Sequence, residues 1–275
     1  MTFSRRKIRV GILGCGAIGS GIAKNIRSEL KKNCCLTALF DIEPRKSAEL
    51  AKKLKLKNIS KRSEADLLKS CDLVVEAVNA PNTAKFIKNA LTARKHVLAM
   101  SVGKLLKEQK FFRLAEKMNR SLLIPSGAIA GLDAIKAAGL AGFSSVTLTT
   151  RKPLSGFQGV KYLKEKGIIL DHIRSETTLF EGDVDSAVRF FPQNINVAAA
   201  LSLACNISKK IKIKIITSPH FKINSHEIDA RGPFGRILTR TENVISPDNP
   251  KTSYLAILSG IQTLKQFFNQ VKIGT

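Results

Sequence analysis

Lys7-Ile-Arg-Val-Gly-Ile-Leu-Gly-Cys-Gly-Ala-Ile-Gly19 is the stretch that decides the fold. Its first half is an apolar run of strand type, and its second half is a glycine turn. Gly21-Ile-Ala-Lys-Asn-Ile26 follows with the spacing of a helix. Gly14, Gly16 and Gly19 therefore stand at the G-x-G-x-x-G spacing of a dinucleotide-binding turn, between a strand and a helix as that motif requires. The three glycines serve different ends. Gly14 permits the sharp turn, Gly16 lets backbone approach a pyrophosphate, and Gly19 lets helix pack closely on strand. The first turn of the helix offers N–H groups and a partial positive charge to the phosphates. Gly14, Gly16, Ala17, Ile18 and Gly19 are the cofactor contacts expected here.

A second apolar run, Cys35-Leu-Thr-Ala-Leu-Phe-Asp41, ends in an acid at about the distance the motif places one, some 20 residues on. A carboxylate there accepts hydrogen bonds from the adenosine ribose and favours NAD. Arg45 and Lys46 follow closely and suit a 2′-phosphate, so the cofactor reads as NAD or NADP.

The chain's 275 residues suffice for one large domain or two modest ones, and 44% hydrophobic content is ordinary for a packed core. No run reaches the ~18–20 apolar residues of a membrane span. No apolar leader segment precedes the first strand, so neither a secretory signal nor a membrane partner is expected. Cys15, Cys34, Cys35, Cys71 and Cys205 make an odd set with no C-x-x-C pair and no metal-like cluster, which predicts free thiols and a cytoplasmic setting, with no metal site. Cys15, inside the glycine turn, lies where a helix N-terminus can lower a thiol pKa, although a small side chain simply fits there. The net charge of +25 raises nucleic acid as a partner. There is no Trp, only two Tyr and no nucleic-acid module, and the lysines are spread along amphipathic helices. A solvated face that attracts anionic substrates accounts for them, and nucleic acid is not the expected partner.

Strand and helix signals alternate through the first half. Asp72–Val78 and His96–Ser101 read as buried strands and Leu122–Pro125 as a short one; Ser63–Lys69, Thr83–Leu91 and Leu105–Asn119 read as helices. This predicts a parallel sheet covered on both faces. Near residue 125 the pattern changes. Ser126-Gly-Ala-Ile-Ala-Gly131 is a small-residue turn, Leu132–Ala141 is helical, and Ser145–Thr150, Thr177–Gly182, Ile211–Ile216, His220–Asp229 and Phe234–Asn243 have strand patterning. Asp183–Phe190, Asn196–Lys209 and Ser253–Val271 read as helices. The expected fold class is α/β: an N-terminal Rossmann domain with a doubly wound parallel sheet, residues 1–125, and a C-terminal α+β domain with a mixed open sheet, residues 126–250. Residues 251–275 form a helix that returns to the first domain, and the active site is expected at the seam.

Over nearly its full length the chain resembles the L-aspartate dehydrogenase family. The resemblance rests on Gly14–Gly19, Pro125-Ser-Gly-Ala-Ile-Ala-Gly-Leu-Asp-Ala134, Thr150-Arg-Lys-Pro153, Leu179-Phe-Glu-Gly182, Phe191-Pro-Gln-Asn-Ile-Asn-Val-Ala-Ala-Ala-Leu201 and Asn224-Ser-His-Glu-Ile228. It implies NAD(P)-dependent interconversion of L-aspartate with oxaloacetate and ammonium through iminoaspartate, a homodimer, and a role in NAD biosynthesis. It implies His226 as the catalytic histidine, with a backbone N–H at Ala130 and the Asn196 side chain at the nicotinamide end; at Ala130 a glycine would also suit the turn.

Among the four histidines, His96 opens a parallel strand away from the nucleotide crevice, and His172 lies in a polar connection. His220 and His226 would share a face if one strand carried both. Imidazole suits the proton transfers because its ordinary pKa lies near 6.5. Asn194 reads as a helix cap. Arg151 and Lys152 are candidates for clamping the substrate's carboxylates. Arg231, Arg236 and Arg240 are weaker candidates of the same type, and Glu227 points away from the histidine if the strand is regular. Two rival readings use the same residues. One is another two-domain reductase such as dihydrodipicolinate reductase, whose paired histidines and lysine-bearing loop are not visible here. The other is a basic protein that binds NAD or nucleic acid without turnover.

Overall fold

The opening apolar run is strand β1 (Ile8–Leu13), and the glycine turn leads into α1 (Ala17–Arg27). This computed structural model describes residues 6–78, 80–108, 110–191, 195–205, 211–246 and 249–274. Crossovers then follow in series: β2 (Cys34–Phe40), α2 (Pro44–Lys53), α3 (Glu64–Lys69), β3 (Leu73–Glu76), α4 (Thr83–Thr92), β4 (His96–Ala99), α5 (Lys110–Met118) and β5 (Leu122–Leu123). The five strands are parallel, in the order β2-β1-β3-β4-β5. Strand order reverses between β1 and β3, which puts the ligand crevice at their carboxyl ends, where the glycine turn lies. Val10, Ile12, Leu73, Val75 and Leu98 make the sheet's core face, and α1 lays Ile22, Ala23 and Ile26 on it. Pro44 at the first turn starts α2, and Ser63 caps α3 by accepting from the Asp66 N–H.

The remainder runs α6 (Leu132–Ala138), β6 (Ser145–Pro153), α7 (Lys161–Glu165), β7 (Thr177–Gly182), α8 (Val184–Phe190), α9 (Asn196–Cys205), β8 (Ile211–Ser218), β9 (Asn224–Gly232), β10 (Gly235–Asn243), β11 (Ile245–Ser246), β12 (Asn249–Ser253) and α10 (Tyr254–Phe268). A second five-stranded sheet has the order β10-β9-β6-β8-β7, with β6 and β8 parallel and the other neighbours antiparallel. The architecture is thus a Rossmann-like parallel sheet followed by a mixed sheet. The chain divides into two compact units: Met1–Pro125 with Ile257–Val271, and Ser126–Ala256 with Lys272–Thr275. In the first unit, Ile257, Ile261 and Leu264 of α10 join the hydrophobic core. α9 is buried on nearly every side, as its run of Ala, Val and Leu requires.

Several boundaries differ from the sequence reading. α5 begins at Lys110 rather than at Leu105, which instead closes a separate 3-10 turn, Val102–Leu105. α9 ends at Cys205, and residues 206–210 and Asn194 lie outside the described residues. β9 begins at Asn224, so His220 sits in an exposed turn and does not share a strand face with His226. His96 is structural: its Nδ1 accepts the Ser121 N–H at 3.0 Å, its ring lies 5.0 Å from that of Phe267, and burial lowers its pKa. His172 is exposed.

Glu76, at the end of β3, is 1% exposed. Its carboxylate accepts from the Val78 N–H at 2.7 Å, the Ser101 N–H at 3.1 Å and the Ser101 hydroxyl at 2.9 Å, tying together the loops that follow β3 and β4. Burial outweighs these bonds and pushes its pKa up to about 7. A carboxyl raised in the folded state holds its proton where the unfolded chain has lost it, so its contribution falls as pH rises from the ordinary carboxylate range through 7. Denaturant titrations of wild type and Glu76→Gln from pH 5 to pH 8 should show wild type losing roughly 3 kcal/mol relative to the variant. A constant difference would mean that Glu76 does not titrate in that window.

Candidate active site

At the nucleotide turn, the glycines divide by what a side chain would meet. A Cβ on Gly19 would lie 1.9 Å from the Gly14 carbonyl oxygen, and one on Gly14, whose φ is +94°, would lie 2.5 Å from that of Ala77. These two are glycines because the fold leaves no room. At exposed Gly16 φ is −73° and no heavy atom lies within 4 Å of the Cβ position. Nothing within the fold requires glycine there, and the cradle that a Cβ would fill fits a phosphate at the head of α1. α1 has no side-chain cap and no acid in its first turn, so the first-turn N–H groups of Ala17 and Ile18, which lack intrahelical acceptors, meet no competing carboxylate there.

Asp41 lies beside this turn, 8% exposed. One carboxylate oxygen accepts the Cys15 N–H at 2.7 Å and the other the Glu43 N–H at 2.9 Å. The acid therefore fixes the turn, and each oxygen keeps a second lone-pair direction. Arg45 pairs with Glu49, and Lys46 with Glu43. The Cys15 thiol is pushed up to about 12, first by burial and then by Asp41, so it stays protonated.

In the second unit, β9 lies between β6 and β10, with His226 opposite Thr150 on one side and Thr241 on the other. His226 is 5% exposed, and its Nδ1 lies 3.0 Å from the Thr150 hydroxyl. This contact fixes the ring and leaves Nε2 for other chemistry. Lys152 stands two residues beyond Thr150, on the same sheet face. Alternate residues Val146–Lys152, Ile211–Thr217, Asn224–Ala230 and Ile237–Asn243 make up that face of the four strands, and Lys152 and His226 are their only ionisable side chains. Burial lowers Lys152 to about 8. Burial, then the Lys152 charge, lowers His226 to about 3. The sequence reading took an imidazole titrating near 6.5; in this setting the ring is neutral throughout the physiological range.

The two candidate clamp cations part company, because adjacent strand residues face opposite ways. Arg151 lies on the other face, 3.4 Å from Glu227 and 3.8 Å from Glu176. Glu227 thus points away from His226. Arg231 and Arg236 both engage Asp229, and Arg240 engages Glu242.

The Ser126–Gly131 turn is held against β10. The Thr241 hydroxyl donates to the Ala128 carbonyl at 2.7 Å, the Asn243 amide donates to the same oxygen at 3.2 Å, and the Thr239 hydroxyl donates to the Ala130 carbonyl at 3.2 Å. Ala130 is exposed, and Gly131 has a φ of +80° at the head of α6. A Cβ on Gly127 would lie 3.7 Å from Val197, so the turn meets the start of α9, where Asn196 is exposed. The sequence reading missed Thr150, Thr239, Thr241 and Asn243. Their strand alternation was legible, but their partners lie across the sheet.

A glycine-turn nucleotide unit and a mixed-sheet unit carrying a buried imidazole define the class, an NAD-binding oxidoreductase. The chain belongs to the L-aspartate dehydrogenase family. Residues 133–267 match the profile described as aspartate dehydrogenase, C-terminal, and residues 14–125 match that of homoserine dehydrogenase, NAD binding domain. The chain is 44% identical over 271 residues to the L-aspartate dehydrogenase of Methanosarcina mazei, covering 98% of this chain and 100% of that one. It is 43% identical over 271 residues to that of Methanosarcina barkeri, with the same coverage. The solved aspartate dehydrogenase of Thermotoga maritima shares the fold, with a TM-score of 0.69 at 21% identity over 98% of this chain and 100% of that one.

The glycines give a direct test of the turn. Gly19→Ala should cost several kcal/mol of stability, because backbone must move. Gly16→Ala should melt like wild type and lose NADH affinity by at least about tenfold. A Gly16→Ala protein that binds NADH as wild type does would remove Gly16 from the pyrophosphate site.

Proposed function

We propose that this chain is an NAD(P)-dependent L-aspartate dehydrogenase that converts L-aspartate and water to oxaloacetate and ammonium through iminoaspartate, or runs the reverse amination. The observation that carries the reading is the buried sheet face on which His226, fixed by Thr150, stands with Lys152 as the only ionisable pair. Two cation-forming groups, with no carboxylate among the residues of those four strand faces, make a seat for an anion such as a dicarboxylate. His226 is the catalytic histidine in this reading, and Lys152 binds a substrate carboxylate. Arg151, engaged by Glu176 and Glu227, is the less favoured clamp.

A bound nicotinamide would supply the acceptor for the hydride of the substrate Cα. The turn from Gly14 to Gly19 holds the pyrophosphate, Asp41 the ribose, and the Ala130 N–H and Asn196 side chain the nicotinamide end. Asp41 and the ion pairs of Arg45 and Lys46 favour NAD over a 2′-phosphorylated cofactor. Below about pH 8 the Lys152 ammonium is charged and pairs with carboxylate. That negative charge offsets the lysine's repulsion of His226 and raises the imidazole from its resting value, so that Nε2 takes the proton lost as ammonium becomes imine and releases it to solvent. Nε2 then takes a proton from the water that adds to the imine carbon and returns it to the nitrogen, which leaves as ammonia and is protonated to ammonium. A homodimer, a cytoplasmic setting and a role in pyridine nucleotide biosynthesis complete the reading. Five free thiols accord with a reducing compartment, and no described helix is long and apolar enough to cross a membrane.

NADH oxidation should require oxaloacetate and ammonium together, and should exceed NADPH oxidation. His226→Ala should lower kcat about 100- to 10,000-fold while NADH affinity holds. Oxidation independent of ammonium, or an unchanged kcat in the variant, would overturn the corresponding part of the reading.

Lys152→Met should raise KM for oxaloacetate about 10- to 100-fold, the worth of a charged hydrogen bond. In wild type the same KM should climb above pH 8, where Lys152 loses its proton, and the variant should lack that rise. A variant that retains the rise would exclude Lys152 as its source.

A further inference from the structure

The three hydrogen bonds that hold the Ser126–Gly131 turn come from alternate residues of one strand face, Thr239, Thr241 and Asn243. Thr241 is the residue registered opposite His226. The Asn243 amide spends one N–H on the Ala128 carbonyl and the other on the Thr241 oxygen at 3.1 Å. Thr241 accepts that bond and directs its single proton to Ala128, so the donor order along the chain is fixed. The cost falls on the Asn243 oxygen, which is buried and has no hydrogen-bond partner among the described residues. Apolar side chains of the same shape would fill these positions without an orphaned acceptor. The polar set therefore does something that packing alone does not: it fixes which way the carbonyls of Ala128 and Ala130 point. Since each peptide is planar, the fixed carbonyls also set the N–H groups of Ile129 and Gly131, and the Ala130 N–H lies in the one peptide held between them. The glycines at the turn's second and last positions, both at positive φ, let the intervening residues adopt the conformation so imposed.

We propose that Thr239, Thr241 and Asn243 are positioning residues for the nicotinamide end of the cofactor. They lock the turn that carries Ala130 onto the strand that pairs with the His226 strand, so that cofactor-binding backbone and imidazole share one rigid frame. The proposal rests on the assignment of Ala130 to the nicotinamide end and of His226 to catalysis.

Valine at either threonine keeps the β-branched shape and removes only the hydroxyl. Thr239 is half-buried at the edge of the site, so Thr239→Val should fold normally; Thr241→Val is the stronger and riskier variant. Each should weaken NADH binding, read directly by fluorescence titration, about tenfold, the equivalent of one hydrogen bond. The matching Thr→Ser variants should restore it to within about twofold. In steady state, KM for NADH should rise in the valine variants and KM for oxaloacetate should not. NADH affinity unchanged in Thr239→Val overturns the proposal for Thr239, whatever Thr241→Val does. A lower melting temperature with NADH affinity intact in either variant would make that threonine structural only. Because binding is measured without turnover, wild type that binds NADH yet fails to turn over oxaloacetate and ammonium would count against the proposed reaction and leave the test of the clamp in force.

Discussion

The register of β9 between β6 and β10 is the constraint on which the second unit and its buried imidazole depend. It sets His226 opposite Thr150 and Thr241 and turns Lys152 to the same face. A slip of one residue would send every alternate side chain to the other side of the sheet. Such a slip of β9 would carry His226 away from Lys152 to the face of Arg151, Arg236 and Glu242, where water would screen it. The present register segregates charge instead. Every other charged residue of those four strands lies on the opposite face, and the buried face holds only the two groups suited to an anion.

Burial of those two groups is the source of their chemistry. An imidazole and an ammonium in a low-dielectric setting both favour their neutral forms, and each charge disfavours the other. In the proposed reading, a ligand with negative charge offsets both effects. The same economy appears in the nucleotide unit. Asp41 joins the Cys15 N–H to the Glu43 N–H, and Glu76 joins the loops after β3 and β4. Buried carboxylates there serve as connectors between backbone segments at the carboxyl edge of the sheet.

Legibility in the sequence followed the range of the interaction. The glycine turn was readable because its requirements are local: a positive φ at Gly14 and the close approach of Gly19 involve residues a few positions away. Most strand and helix identities in both units followed from apolar periodicity, with errors at ends, as at Leu105, which closes a 3-10 turn before α5, and at His220, where no periodic signal marks the break. His226 stood out by its motif. Its partner Thr150 lies 76 positions away, and nothing in either segment names the other. Nor did the sequence show that Arg151 and Lys152, neighbours in the chain, would serve opposite faces, since that depends on how far β6 extends.

By itself, then, the sequence determined the two kinds of sheet, the nucleotide turn, the acid after the second strand and the histidine to watch, because each is written in a short window with its own period or steric demand. Tertiary structure alone decided that Asp41 braces the turn, that Lys152 rather than Arg151 joins His226, that the imidazole rests neutral, and that Thr239, Thr241 and Asn243 hold the Ala130 turn. Those outcomes come from cross-strand register and from burial, and both are properties of the packed sheet that no single segment carries.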